Sequence, residues 1–235
     1  MQVRVGTSGF SYKEWKGSFY PEDLKSAGML AYYAERFSSV EINNTFYRMP
    51  KASVLEGWAE QVPSDFLFVL KASQQITHRK RLRDAGEPLA YLMETASTLR
   101  DRLGPVLFQL PPSLRKDLPR LREFLSLLPP GRPFAFEFRH PSWSDEEIHS
   151  ALREGNHALV CADTEDSAGG GAPIVPTADW GYLRLRRCDY TEDELHPWVD
   201  RILSQPWDRA FVFFKHEDDR PLAWDTIRRF RDALG

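Results

Sequence analysis

Eight short β-rich runs recur along the chain, and most of the stretches between them carry helical patterns. The runs are Val3–Gly6, Ser39–Asn43, Phe66–Ala72, Pro105–Leu110, Phe134–Phe138, Ala158–Asp163, Gly181–Arg186 and Ala210–Lys215. Their starts lie roughly 25–40 residues apart, the length of a strand plus a crossover helix. Leu89, Leu92, Met93, Ala96, Leu99 and Leu103 follow helical spacing, as do Leu118, Leu121, Leu125 and Leu128, and Ala223, Ile227, Phe230 and Leu234. Ser144 with Glu147 reads as a capping box, closed downstream by Gly155. Thr191 with Glu194 reads as another, with Pro197 expected to delay the helix start. Residues 164–180 hold three consecutive glycines and two prolines, so this connection reads as loop. The pattern predicts a (β/α)8 TIM barrel of eight parallel strands and about seven helices, one domain over residues 1–235. A doubly wound open sheet is the runner-up, disfavoured by the lack of a Gly-rich fingerprint after the first strand.

Side chains alternate across a strand, so parity separates helix-facing from interior positions. In FAFEFR (134–139) the three phenylalanines suit the helix side, leaving Ala135, Glu137 and Arg139 inside. The same reading places Arg4, Gly6, Glu41, Asn43, Val69, Lys71, Gln109, Cys161, Asp163, Arg184, Arg186 and Lys215 inside, with Ser8 at the exit of the first strand. Most of the polar groups come late in their strands, at the end where barrel enzymes build active sites. Lys71, Arg139, Arg184, Arg186 and Lys215 face only Glu41, Glu137 and Asp163. Unpaired buried ions are costly, so the surplus predicts a small anionic ligand. A structural ion network is the competing reading.

Composition narrows the classes. A formal charge of −3 gives no whole-chain basic footprint, so single-stranded nucleic acid is a minor candidate partner. Two cysteines, Cys161 and Cys188, make no disulfide framework and no zinc motif. No apolar run approaches the roughly 18 residues that span a bilayer, and the chain enters a strand at once. The expectation is a cytoplasmic protein without membrane contact.

Six ordered blocks resemble a known family: GTSGFSYKEWKGSFYP (6–21), VEINNTFYRMP (40–50), ITHRKRL (76–82), LGPVLFQLPPSL (103–114), FEFRHPSW (136–143) and FVFFKHED (211–218). The family is the YecE-like one, domain of unknown function 72, and the resemblance implies a TIM barrel over nearly the whole chain. It brings no reaction with it, so function must come from the site. Two blocks depart from the family pattern. Arg186 and Arg187 stand where the seventh strand usually ends in His-Gly, and Lys215-His216-Glu217 where the eighth often ends in asparagines.

The leading reading is an enzyme acting on a phosphorylated sugar or nucleotide-like anion, by acid–base lyase, isomerase or hydrolase chemistry. Arg139, Arg184, Arg186 and Lys215 would hold the anion. Glu137 would be the base and Lys71 or His140 the acid, while Glu41, Asn43, Gln109, Asp163 and Ser8 orient groups. Tyr12 and Trp15, in the aromatic first loop, would face the ligand, with Phe46, Tyr47 and Trp143 as the opposite wall. No cofactor is expected. A divalent ion on Glu41, Glu137, Asp163, His78, His140 and His216 is weighed as metal-dependent phosphoester hydrolysis, without a supporting HxH or HExxH spacing. A non-catalytic metabolite or nucleic-acid-end binder is the remaining alternative.

Overall fold

The structure is a computed structural model that describes residues 1–164, 173–187, 190–215 and 224–235. His216, Glu217, Cys188, Ala223 and most of the Gly-rich segment lie outside the described residues. The fold is α/β with parallel sheets. Its strands are β1 (Gln2–Thr7), β2 (Ser39–Ile42), β3 (Leu67–Lys71), β4 (Leu103–Gln109), β5 (Phe134–Glu137), β6 (Ala158–Leu159), β7 (Cys161–Asp163), β8 (Trp180–Leu185) and β9 (Arg209–Phe214). The described helices are α1 (Met29–Ala34), α2 (Ala52–Glu60), α3 (Gly86–Ala96), α4 (Leu118–Ser126), α5 (Glu146–Glu154), α6 (Glu192–Leu203) and α7 (Trp224–Ala233). Each expected strand is present within a residue or two, and the sixth is divided into β6 and β7.

One sheet has the order β1-β9-β8-β7 and the other β2-β3-β4-β5-β6, every ladder parallel. They meet in two places. The sixth run crosses between them at Val160, whose N–H still donates to the Phe136 carbonyl of β5 at 2.9 Å. On the other side, Ser8 and Glu41 form an isolated parallel bridge, and the Gly9 N–H donates to the Glu41 carbonyl at 2.8 Å. Below that bridge the Tyr33 hydroxyl replaces a ladder bond. It accepts from the Thr7 N–H at 2.8 Å and donates to the Ser39 carbonyl at 3.1 Å. Gly6 permits this approach, since a Cβ there would sit 2.1 Å from the Ser39 carbonyl oxygen.

Three apolar clusters follow from strand alternation. Two lie on the helix-facing sides and take Val40, Ile42, Phe68, Leu70, Phe108, Phe134, Phe136, Leu183, Leu185 and Phe214. The third draws Val69, Leu107, Ala135, Ala158, Val160, Tyr182, Phe211 and Phe213 from both sheets onto their opposite face. Glu137, Gln109, Lys71 and Arg184 share that face further along their strands.

Helix starts follow their caps, with two corrections. The cap of α5 is Asp145, whose side chain accepts from the Glu147 N–H, and not Ser144. Helix α6 begins at Glu192 despite Pro197, which lies deep enough to remove only one backbone bond. Its capping box is complete, with Thr191 and Glu194 exchanging bonds as the sequence predicts. Thr191→Ala is therefore expected to lower unfolding free energy by about 1 kcal/mol, read as a lower urea midpoint at constant m-value. An unchanged midpoint would show the box to be idle. Among the described residues no helix is long and apolar enough to cross a membrane.

Candidate functional site

The polar groups at the C-terminal ends of the strands form one connected network around Arg184, which is 2% exposed. Its Nη2 donates to Glu41 Oε1 at 2.8 Å and its Nη1 to Glu137 Oε2 at 2.6 Å, so one guanidinium from the β8 sheet bridges two carboxylates of the other sheet. Glu41 also accepts from Tyr182 Oη at 2.6 Å, Ser8 Oγ at 2.7 Å and Asn43 Nδ2 at 3.2 Å. Glu137 accepts from Gln109 Nε2 and from Arg139 Nε, both at 2.8 Å. Lys71 Nζ donates to Gln109 Oε1 at 2.9 Å and lies 4.3 Å above the centre of the Phe46 ring. Parity thus brings together Ser8, Glu41, Asn43, Lys71, Gln109, Glu137, Arg139 and Arg184 from six strands or their ends.

The charges within this network are unevenly matched. Burial opposes ionisation of Glu137, but Arg184 and Arg139, with the Gln109 amide, outweigh it and hold the carboxyl at about 2. Burial likewise opposes the charge on Glu41, where Arg184 and then the Tyr182 and Ser8 hydroxyls bring the pKa below the usual range. Both carboxylates are therefore ionised, and Arg184 and Arg139 match them. Two cations remain. Burial, then the Arg184 charge, lowers Lys71 to about 8 against the pull of Glu41 and Glu137. Burial and Arg184, with Arg139, lower Arg186 to about 10, with Glu137 acting the other way. The Arg186 side chain has no hydrogen bond or ion pair among the described residues. Lys215 continues the parity of Phe211 and Phe213, its backbone N–H donating to the Leu185 carbonyl at 3.0 Å.

Four expectations need correction. Asp163 does not join the network. Cys161 pairs in register with Leu183 and Asp163 with Leu185, both facing helices. The Asp163 carboxylate accepts from the buried Tyr190 hydroxyl instead. The small Ala158, Val160 and Ala162 are what face inward. Trp143 is 1% exposed and stacked on Phe138 at 4.5 Å, with its indole N–H donating to the Leu114 carbonyl at 2.7 Å, so it packs against helices and walls no pocket. His140 Nδ1 accepts from the Ser142 N–H at 3.1 Å and caps the short 3-10 helix Pro141–Trp143. Glu137, held near 2 by three donors, is a weak proton acceptor near neutral pH and orients Arg139 and Arg184. Tyr12 is half-buried, its hydroxyl donating to the Ser8 carbonyl at 2.7 Å, as a folded loop requires.

Sequence reasoning missed Tyr182 and the settings of Phe46 and His78. Tyr182 shares the parity of Arg184 and was legible from GYLRLR. The settings of Phe46 and His78 were not, because irregular backbone carries them. His78 sits in a π-helical turn, Gln75–Arg79, and its ring meets Phe46 edge-on at 4.9 Å. Burial, then Lys71, Arg139 and Arg81, lower its pKa. The turn runs into Arg81, Leu82 and Asp84, all at left-handed φ of 50°, 68° and 46°. Such backbone is strained for residues with a Cβ, and the fully packed Leu82 side chain anchors it. Among the described residues no group of three or more His, Cys, Asp or Glu is arranged to hold a metal ion. The two network carboxylates are already taken by Arg184.

Comparison with known proteins agrees with this architecture. A DUF72 family protein from Thermotoga maritima superposes with a TM-score of 0.85 at 29% identity, covering 100% of this chain and 99% of that one. An Enterococcus faecalis DUF72 family protein shares the fold at 18% identity, with a TM-score of 0.81 over 99% of this chain and 95% of that one. The UPF0759 protein YecE of Escherichia coli is 35% identical over 127 residues, 53% of this chain and 47% of that protein. YunF of Bacillus subtilis is 29% identical over 190 residues, 75% of this chain and 66% of that protein. The chain thus spans about half to two thirds of these curated relatives. The family described as "Protein of unknown function DUF72" matches residues 4–235, which takes in every strand of the network, and the chain belongs to that family.

Proposed function

We propose that the two sheets close into one (β/α)8 cylinder forming a single domain, and that the C-terminal ends of its strands bind a small phosphate-bearing ligand. The Ser8–Glu41 bridge and the crossing at Val160 support closure, since together they join both pairs of sheet edges. The observation that carries the ligand reading is the pair Lys71 and Arg186. Both are desolvated and both are depressed by the cation beside them, while the nearby carboxylates are already matched. A bound anion would supply the missing charge. Within this reading Lys71 is the acid–base candidate, because a pKa of about 8 lets it hold or release a proton near neutral pH.

Sulfate tests the proposal, since its charge is constant across the range. Its affinity should fall as pH rises through about 8 and the Lys71 ammonium is lost, by roughly tenfold from the worth of a charged hydrogen bond. Lys71→Met should flatten that profile. Ligand-free stability should move the other way. Unfolded Lys71 titrates near 10.5 and folded Lys71 near 8, so the unfolded chain binds more protons between them and stability rises with pH there. Calorimetric titration of sulfate from pH 6.5 to 9.5 reads the first effect and urea melts read the second. A flat profile in the native protein would refute the assignment.

A further inference from the structure

A cavity of about 370 Å³ opens beside the network, between the first loop, the start of α1, the exit of β2 and the C-terminal end of α2. Its walls carry Ser11, Tyr12, Ser26, Asn43, Asn44 and Gln61, over a floor that includes Leu30 and Ile42. Phe10 and Trp58 add two aromatic rings, in edge contact at 6.1 Å. Among the described residues that line it, none is charged. The cavity adjoins the cage around Glu41 through three of its own residues. Asn43 Nδ2 donates to Glu41 Oε1 at 3.2 Å, Gly9 N–H to the Glu41 carbonyl at 2.8 Å, and Tyr12 Oη to the Ser8 carbonyl at 2.7 Å.

The chemistry of this lining selects its occupant. An ion would find no counter-charge. A purely apolar molecule would strip water from amides and hydroxyls without replacing their bonds, at a cost for each. A neutral polyhydroxylated molecule meets both demands, pairing its hydroxyls with the amides and laying C–H faces on the rings. The volume lies at the lower end of the range for small-molecule sites, about 300–1,000 Å³, which suits one sugar ring. We propose that this cavity receives the uncharged polyhydroxyl body of a monosaccharide-class ligand. Resting on the anion reading above, the full ligand is then a sugar phosphate, with its phosphate on Lys71 and Arg186.

Titration calorimetry on the full chain tests this with inorganic phosphate, ribose 5-phosphate, glucose 6-phosphate, adenosine monophosphate and uncharged methyl glucoside as probes. Sugar phosphates should bind at least tenfold tighter than inorganic phosphate. Ala27→Trp, placed on the exposed rim, and the surface pair Asn44→Ala/Gln61→Ala should each cut that preference to within about twofold, leaving inorganic phosphate unaffected. Sugar phosphates no tighter than phosphate, or insensitive to both variants, would overturn the cavity assignment and leave the anion reading standing. So would tightest binding of adenosine monophosphate that ignores Ala27→Trp. Methyl glucoside binding that Ala27→Trp abolishes, without any response to phosphate or sulfate, would uphold the cavity and sink the anion reading. No binding by any probe would overturn both.

Discussion

Replacing Arg184 with methionine is expected to lower the unfolding free energy by about 3–5 kcal/mol at neutral pH. The substitution leaves Glu41 and Glu137 buried and facing each other without the guanidinium that bridges them at 2.8 and 2.6 Å. Arg184→Lys should recover only part of the loss, because a single ammonium does not reproduce a planar fork between two carboxylates. The deficit should also shrink on acidification. Without Arg184 the carboxyls rise from their depressed values and protonate earlier, which relieves their repulsion. Adding Glu41→Gln and Glu137→Gln to Arg184→Met should restore much of the stability, by removing the charges that were stranded. Urea denaturation at pH 7 and pH 5 reads each variant. A loss below about 1 kcal/mol, small against the cost of breaking a buried pair, would mean that these groups are not held together in a dry interior.

Replacing Arg186 with glutamine should do the opposite. Phosphate and sulfate affinity should fall by roughly 10–100-fold, the equivalent of about 1.5–3 kcal/mol for a charge-assisted contact, while the melting temperature stays level or rises. The ligand-free protein loses a desolvated cation whose pKa is already pushed down to about 10, so its removal relieves an unfavourable charge. A residue whose purpose was to plug the interior would show the reverse pattern, with lower stability and unchanged binding. Thermal melts with and without sulfate separate the two, since a ligand raises the melting temperature only through the native state. The contrast between Arg184 and Arg186, two positions apart on one strand and its exit, decides between a structural network and a binding site. On the reading argued above, Arg184 belongs to the first and Arg186 to the second.

Much of this arrangement was legible in alternation. FAFEFR placed Glu137 and Arg139 together, VLKA placed Lys71, and GYLRLR placed Arg184 and Arg186, because these strands put bulky apolar groups toward helices at every second position. The same rule misassigned Asp163. In CAD the neighbours on both sides are small, so no bulky residue marks the helix side, and the pairing of Cys161 with Leu183 decides the orientation. Trp143 was misread for a related reason. A tryptophan just past a strand end has no fixed parity, and here the Phe138 ring and the Leu114 carbonyl draw it to the helix side.

The order of strands, their boundaries and the helix caps are local matters. They depend on residues a few positions apart, through alternation, helical spacing and side chains reaching the nearest free N–H, and the chain written out in order carries them. Which charges cancel is not local. Glu41 and Arg184 lie 143 positions apart, and the cavity by Asn43 needs the first loop, α1 and α2 in place at once. Burial and distance in three dimensions set the strength of such interactions, so only the tertiary structure decided that, among the described residues, Arg184 and Arg139 meet the buried carboxylates while Lys71 and Arg186 do not.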